Sequence, residues 1–103
     1  MAKSVLVIGA GGAQGGPIAD AALSAGYDVL AAGRNMDKLT GLEARGATPV
    51  QVDLTDTDSV REAAARADLA FFHAPMGLGG GVEVESAAVQ AILDGGVEHL
   101  AYN

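Results

Sequence analysis

The chain has no cysteine and no tryptophan, only four aromatic residues, and only six cations among its 103 residues. Without cysteine there is no disulfide, no thiolate nucleophile and no cysteine-based metal site. That suits a cytoplasmic setting, which is the expected location. The scarcity of aromatics leaves a core of Val, Leu, Ile and many Ala, which packs closely but buries less area per residue. Thirteen acids against six cations give a formal net charge of −7. No basic face is left to neutralise a phosphate backbone, so nucleic acid is not an expected partner. No apolar run approaches the ~18 residues of a membrane span, and no basic region followed by a separable hydrophobic segment opens the chain. A membrane is therefore not an expected partner. The length bounds the chain to one domain, residues 1–103, with a single core.

Glycine, by contrast, is abundant at 15 residues, and its placement is informative. The apolar run Val5-Leu6-Val7-Ile8 leads directly into Gly9-Ala10-Gly11-Gly12-Ala13-Gln14-Gly15-Gly16, and an apolar helical period follows at Ile18, Ala21, Ala22 and Ala25. Strand, glycine turn and helix in this order are the context of a dinucleotide-binding turn. Residues without side chains let the backbone turn sharply, approach a pyrophosphate and bring the helix close to the strand. The helix start then offers unpaired N–H groups and a positive dipole end to an anion. Pro17 fits the first helical turn, where its missing N–H has no partner to lose. Gly9, Gly11, Gly12, Ala13, Gln14 and Gly15 are thus candidate cofactor contacts. Their spacing, G-x-x-G-x-x-G, is that of extended and atypical short-chain dehydrogenase/reductases.

Five short apolar segments, at 4–8, 28–32, 48–52, 69–73 and 99–102, alternate with helical patterns at 14–25, 36–45, 57–66 and 84–94. None of the five shows a clean polar/apolar alternation, so they read as strands covered on both faces of a parallel sheet. Gly26, Gly46 and the pair Gly95-Gly96 stand where helix ends favour positive φ. Asp56 and Thr57 are available to cap the third helix. Strict β-α alternation predicts an α/β fold, a three-layer Rossmann-like doubly wound parallel sheet of about five strands in the order 3-2-1-4-5.

Further candidates lie at the expected strand ends. NAD-preferring sites place an acid about 20 residues beyond the glycine turn, where it binds the adenosine ribose. Here that position carries Ala32-Gly33-Arg34-Asn35, with Lys38 one helical turn on. A guanidinium can grip a 2′-phosphate through two hydrogen bonds and the lysine adds a point charge, so NADP(H) is expected in preference to NAD(H). The alternative is a solvated loop arginine beside a surface lysine. At the end of the third strand, Asp53 and the N–H of Leu54 are placed to meet an adenine edge; alternatively Asp53 ties the turn before the third helix. The fourth strand runs into His73-Ala74-Pro75, which would border the ribose or nicotinamide. His73 there either contacts ligand, acts as acid or base, or bonds nearby backbone. The glycine-rich stretch 77–81 reads as a cover over the cofactor or as a disordered connection. His99 enters the last strand at the opposite edge and reads as structural. Glu83 and Glu85 read as first-turn helix acids, and no metal-ligand spacing or Ser/His/Asp arrangement is visible.

Taken together, Val7-Ile8-Gly9-Ala10-Gly11-Gly12-Ala13-Gln14-Gly15-Gly16, Arg34-Asn35, Val52-Asp53-Leu54 and Gly96-Val97-Glu98-His99-Leu100 resemble the NmrA-like atypical short-chain dehydrogenases, over the whole chain but only the N-terminal part of that family. The resemblance implies that Gly9, Gly12 and Gly15 cradle pyrophosphate, Arg34 and Lys38 meet the 2′-phosphate, and Asp53 and Leu54 flank adenine. It implies either an NADP(H)-binding module, with a redox-state sensor among its forms, or an NADPH-dependent reductase of quinones or carbonyl compounds whose substrate-binding part lies outside the chain. Ile8 and Gly11 stand where the family often has Thr, and Gly33 replaces its usual Thr or Ser. Tyr102-Asn103 stands where a serine pair usually follows the tyrosine. Tyr102 has no lysine four residues on, so no catalytic role is assigned to it. The fifth strand is expected to present an apolar edge suited to self-association or a protein partner.

Overall fold

The computed structural model describes residues 3–10, 15–72 and 81–102, with side chains from residue 86 to residue 101 in the last stretch. Five strands and four helices alternate: β1 (Ser4–Ile8), α1 (Gly15–Ser24), β2 (Asp28–Gly33), a 3₁₀ turn (Met36–Leu39), α2 (Thr40–Ala44), β3 (Thr48–Gln51), α3 (Thr57–Ala64), β4 (Leu69–Phe72), α4 (Gly81–Asp94) and β5 (His99–Tyr102). All the strand pairs are parallel and the order is β3-β2-β1-β4-β5, as the alternation predicts.

Side-chain alternation along each strand divides the core into two layers. Leu6, Ile8, Leu30, Ala32, Ala70 and Phe72 face α3 and α4, which contribute Val60, Ala63, Ala64, Ala88, Ala91 and Ile92. Val5, Val7, Val29 and Ala31 face the other way, against Ala19 of α1 and Leu39 of the 3₁₀ turn. Continuous apolar runs are therefore what a sheet covered on both faces requires. The cover is uneven over the second layer. Helix α1 packs on β1 and β2, whereas Leu69 and Phe71 of β4 are only half-buried and Ala101 of β5 is exposed.

Local chemistry sets the helix boundaries. The Asp56 carboxylate accepts from the Ser59 N–H at 3.4 Å and caps α3, as the sequence suggests. The single helix expected over 36–45 is instead a 3₁₀ turn followed by one turn of α2. Asn35 Oδ1 accepts from the Asp37 N–H at 3.0 Å and starts the tight turn early, and Thr40 Oγ1 donates to the Asp37 carbonyl at 3.1 Å where the geometry changes. Helix α3 ends two residues short of expectation, and α4 begins at Gly81 rather than at 84.

The helix-terminal glycines divide into two kinds. Gly26, Gly46 and Gly96 have φ of 93°, 112° and 93°. Gly95 does not share that backbone state, contrary to the paired reading. A Cβ there would stand 2.6 Å from Ala64 Cβ and 2.9 Å from the Arg61 carbonyl oxygen, so Gly95 is where the end of α4 meets the end of α3.

The strands' N-terminal ends are tied together by Asp68. Its carboxylate accepts from the Ser4 N–H and its own N–H donates to the Ser4 carbonyl, both at 3.0 Å. Its carbonyl accepts from Glu98 N–H at 2.7 Å, from the bend before β5. The Lys3–Glu98 ion pair, 2.6 Å, closes the same edge. Glu98 first, by hydrogen bond and charge, raises the Lys3 ammonium above its ordinary 10.5.

Candidate functional site

The opposite edge of the sheet carries the candidate site. The registers align Ile8 with Ala32 and Phe72, and Gly33 with Gln51. Gly9, Arg34 and Val52-Asp53 therefore leave the sheet side by side, in the crevice that open α/β sheets use for ligands. Gly11, Gly12, Ala13, Gln14, His73, Ala74 and Pro75 lie outside the described residues, as do 76–80.

Gly9 ends β1 at φ 85°, a conformation that costs a residue with a Cβ about 1–2 kcal/mol. Its N–H and that of Ala10 both donate to the Ala32 carbonyl, at 2.9 and 3.1 Å. The turn is thereby fastened across to β2. Gly15 opens α1 and is buried. A Cβ on it would lie 2.1 Å from the Gly9 carbonyl oxygen and 2.6 Å from the Gly9 carbonyl carbon. The start of α1 therefore rests directly on the turn, which only glycine permits.

Arg34 and Lys38 are both exposed beside the end of β2. The Arg34 carbonyl accepts from Gln51 Nε2 at 3.3 Å, and the Asn35 carbonyl accepts from the Lys38 N–H at 3.2 Å. The sequence reading did not single out Gln51. A polar residue closing an edge strand, opposite the loop, was the available signal.

Asp53 is exposed and Leu54 is buried. Thr55 donates to Asp53 Oδ1 twice, from its N–H at 2.9 Å and its hydroxyl at 2.6 Å. The Asp53 N–H donates to Ser59 Oγ at 3.2 Å, and the Ser59 hydroxyl is within reach of the Asp53 carbonyl at 3.1 Å and the Asp56 carbonyl at 2.8 Å. These Thr55 bonds, the side-chain one first, hold the Asp53 carboxyl below its ordinary 3.8, and the Arg34 charge acts in the same direction. The turn-tying role of Asp53 is thus built, with Arg34 near enough to be felt. Asp53-x-Thr55 was its sequence signal. His99 is exposed at the far edge, where β5 begins.

The family model described as the NmrA-like family matches residues 1–103. The chain belongs to the NmrA-like family. Among solved structures, triphenylmethane reductase from Citrobacter sp. is similar at 28% identity and TM-score 0.84, over 97% of this chain and 36% of that one. Its complex with NADP(H) matches at 25% identity and TM-score 0.82, over 96% and 36%. NADPH-dependent quinone oxidoreductase from Escherichia coli, with NADPH bound, matches at 23% identity and TM-score 0.82, over 95% and 35%. NmrA, a negative transcriptional regulator, matches at 21% identity and TM-score 0.85, over 99% and 33%. The last two bear on the fold alone. No curated protein matches the chain significantly. This NmrA-like chain spans about a third of the length of these relatives and has their NAD(P)-binding, Rossmann-like fold. Among the described residues, no helix is long and apolar enough to cross a membrane, and no cluster of potential metal ligands occurs.

Proposed function

We propose that this NmrA-like chain binds NADP(H), in preference to NAD(H), at the C-terminal edge of its sheet. The distribution of its cations carries the proposal. Lys3 pairs with Glu98, Arg45 with Asp20, and Arg61 with Asp58. Arg66 follows α3, toward the far edge. Arg34 and Lys38 alone stand at the crevice, with no ion pair to a described residue and no acid ending β2. On an acidic chain this is a local site for a dianion.

The residues fit the cofactor. Gly9 and Gly15, with the start of α1 that Gly15 opens, would hold the pyrophosphate. Arg34 and Lys38 would hold the 2′-phosphate, and Leu54 N–H with Asp53 the adenine edge. Gly11, Gly12, Ala13 and Gln14 would complete the turn, and His73, Ala74 and Pro75 would border the nicotinamide side. When bound in its reduced form, the dinucleotide would supply a hydride. The protein residues position it and neutralise its phosphates.

Calorimetric titration with NADPH and NADH in parallel tests the reading. A hydrogen bond to a charged group contributes about 1.5–3 kcal/mol, so Arg34→Ala is expected to weaken NADPH roughly 10- to 150-fold while NADH changes little. Equal losses for both cofactors would defeat the 2′-phosphate assignment. A second reading, NADPH-dependent reduction of a quinone or dye, is favoured by the 28% identity to triphenylmethane reductase. NADPH oxidation in the presence of such acceptors would support it, and absence of turnover with binding intact would leave a binding module or sensor.

A further inference from the structure

Arg34 stands on a segment whose backbone is held at three successive carbonyls. The Gly33 carbonyl accepts from the Val52 N–H at 3.0 Å, between the ends of β2 and β3. The Asn35 carbonyl accepts from the Lys38 N–H at 3.2 Å, at the start of the 3₁₀ turn. Both of these are backbone bonds. The carbonyl between them, that of Arg34 itself, is held by a side chain: Gln51 Nε2 donates to it at 3.3 Å.

The sheet geometry explains why Gln51 makes this bond. Successive side chains of a strand point to opposite faces. Val50 and Val52 pack with the layer that α3 and α4 cover, so Gln51 between them points to the other face. The 3₁₀ turn lies on that face, where Leu39 packs with Val5, Val7, Val29 and Ala31. The register sets Gln51 opposite Gly33, one residue before Arg34. The segment leaving β2 for the 3₁₀ turn therefore passes the face that Gln51 occupies. Only a donor can hold a carbonyl, so the amide turns Nε2 toward Arg34. The next restraint is Asn35, whose Oδ1 accepts from the Asp37 N–H at 3.0 Å. The backbone is thus fixed at and just after Arg34, whose side chain makes no ion pair with a described residue.

Given a crevice that binds NADP(H), we propose that Gln51 is a positioning residue for Arg34 and through it sets the preference for a 2′-phosphorylated dinucleotide. A guanidinium grips a phosphate through two parallel hydrogen bonds, which demand a fixed approach. An arginine on a loose segment has to surrender more freedom on binding, and that cost lowers affinity. It falls on the cofactor that carries the 2′-phosphate. Gln51 is uncharged, so it takes this part without adding a charge of its own to the crevice.

Gln51→Met keeps the length of the side chain and removes its donor. Gln51 is exposed on β3, at the end of the sheet order, so the variant should unfold in urea at the wild-type midpoint. Calorimetry should find NADPH weakened roughly 2- to 10-fold, the range of one net hydrogen bond, with NADH unchanged. In an Arg34→Ala background Gln51→Met should bring no further loss for NADPH, since both changes act through one residue. In the cofactor-free chain, ¹⁵N relaxation should give a lower order parameter at the Asn35 amide, which shares its peptide plane with the Arg34 carbonyl. Wild-type NADPH affinity in Gln51→Met, or equal losses for both cofactors, would overturn the proposal. A full loss persisting in the Arg34→Ala background would also overturn it, making Gln51 a direct contact. A wild-type chain without preference for NADPH would overturn the reading of the site itself, and this proposal with it.

Discussion

Gly15→Ala isolates the contact on which the candidate site is built. In an ordinary helix this change is favourable by up to about 1 kcal/mol. Here the new Cβ would lie 2.1 Å from the Gly9 carbonyl oxygen, and real Cβ contacts essentially never fall under 3.0 Å. The start of α1 would have to withdraw by about 0.9 Å, the difference between those distances, and the opposing atoms are backbone that cannot rotate aside. Overpacking of this kind costs typically 1–3 kcal/mol, and withdrawal of α1 also loosens Ala19 from the core. A net loss of about 2 kcal/mol is expected, with Tm down by roughly 8–16 °C for a domain of this size. Gly41→Ala is the internal control. It lies in α2 with nothing within 4 Å of its added Cβ, and about 0.5 kcal/mol of stabilisation is expected. Thermal and urea unfolding of both variants give the comparison, and NADPH titration of folded Gly15→Ala should show weakened binding. If Gly15→Ala is as stable as the parent chain, α1 does not rest on the turn and the argument fails.

Gly95→Ala should cost about 1–3 kcal/mol, because its Cβ would press on Ala64 and the Arg61 carbonyl; urea midpoints equal to wild type would show that α3 and α4 have room to separate. For Asp53 the native carboxyl is held low, so folding favours its ionised form. Its contribution is complete above the unfolded value near 3.9 and is lost as pH falls through the lower native value. Thr55→Val removes the first cause of that shift, so an NMR titration should find the Asp53 pKa moved up toward 3.8; an unmoved value would mean that Thr55 is not its source.

The architecture was legible because burial on both faces forces continuous apolar strands, and Val5–Ile8 and its neighbours write that condition directly. The glycine turn was legible for the same kind of reason, since only a strand before and a helix after make its spacing meaningful. What stayed hidden depends on distances between segments remote in sequence. Gly95 and Gly96 look alike in the chain, yet Gly96 relieves a backbone angle and Gly95 a contact with Ala64 and Arg61 of α3. The ion pair of Asp20 with Arg45, which removes one cation from the candidate pool, has no local signature. The break between the 3₁₀ turn and α2 was missed because Asn35 and Thr40 compete with the helix through their own hydrogen bonds, a local effect that apolar periodicity does not register. At Asp53 the turn-tying reading is the one the structure builds, through the two bonds from Thr55 to one carboxylate oxygen.

The position of β1 at the centre of the sheet has a consequence for the order of assembly. Its partner β2 is 24 residues away, Ser4 to Asp28, whereas its partner β4 is 64 away, Val5 to Leu69. Loop closure scaling as (3/2)RT ln n makes the second pairing costlier by about 0.9 kcal/mol, roughly fourfold in encounter probability. The segment bearing Gly9, Gly15, Arg34 and Lys38 thus assembles from near neighbours in the chain, and the slower, non-local closure that governs folding rate is the arrival of β4 and β5 on a surface already formed.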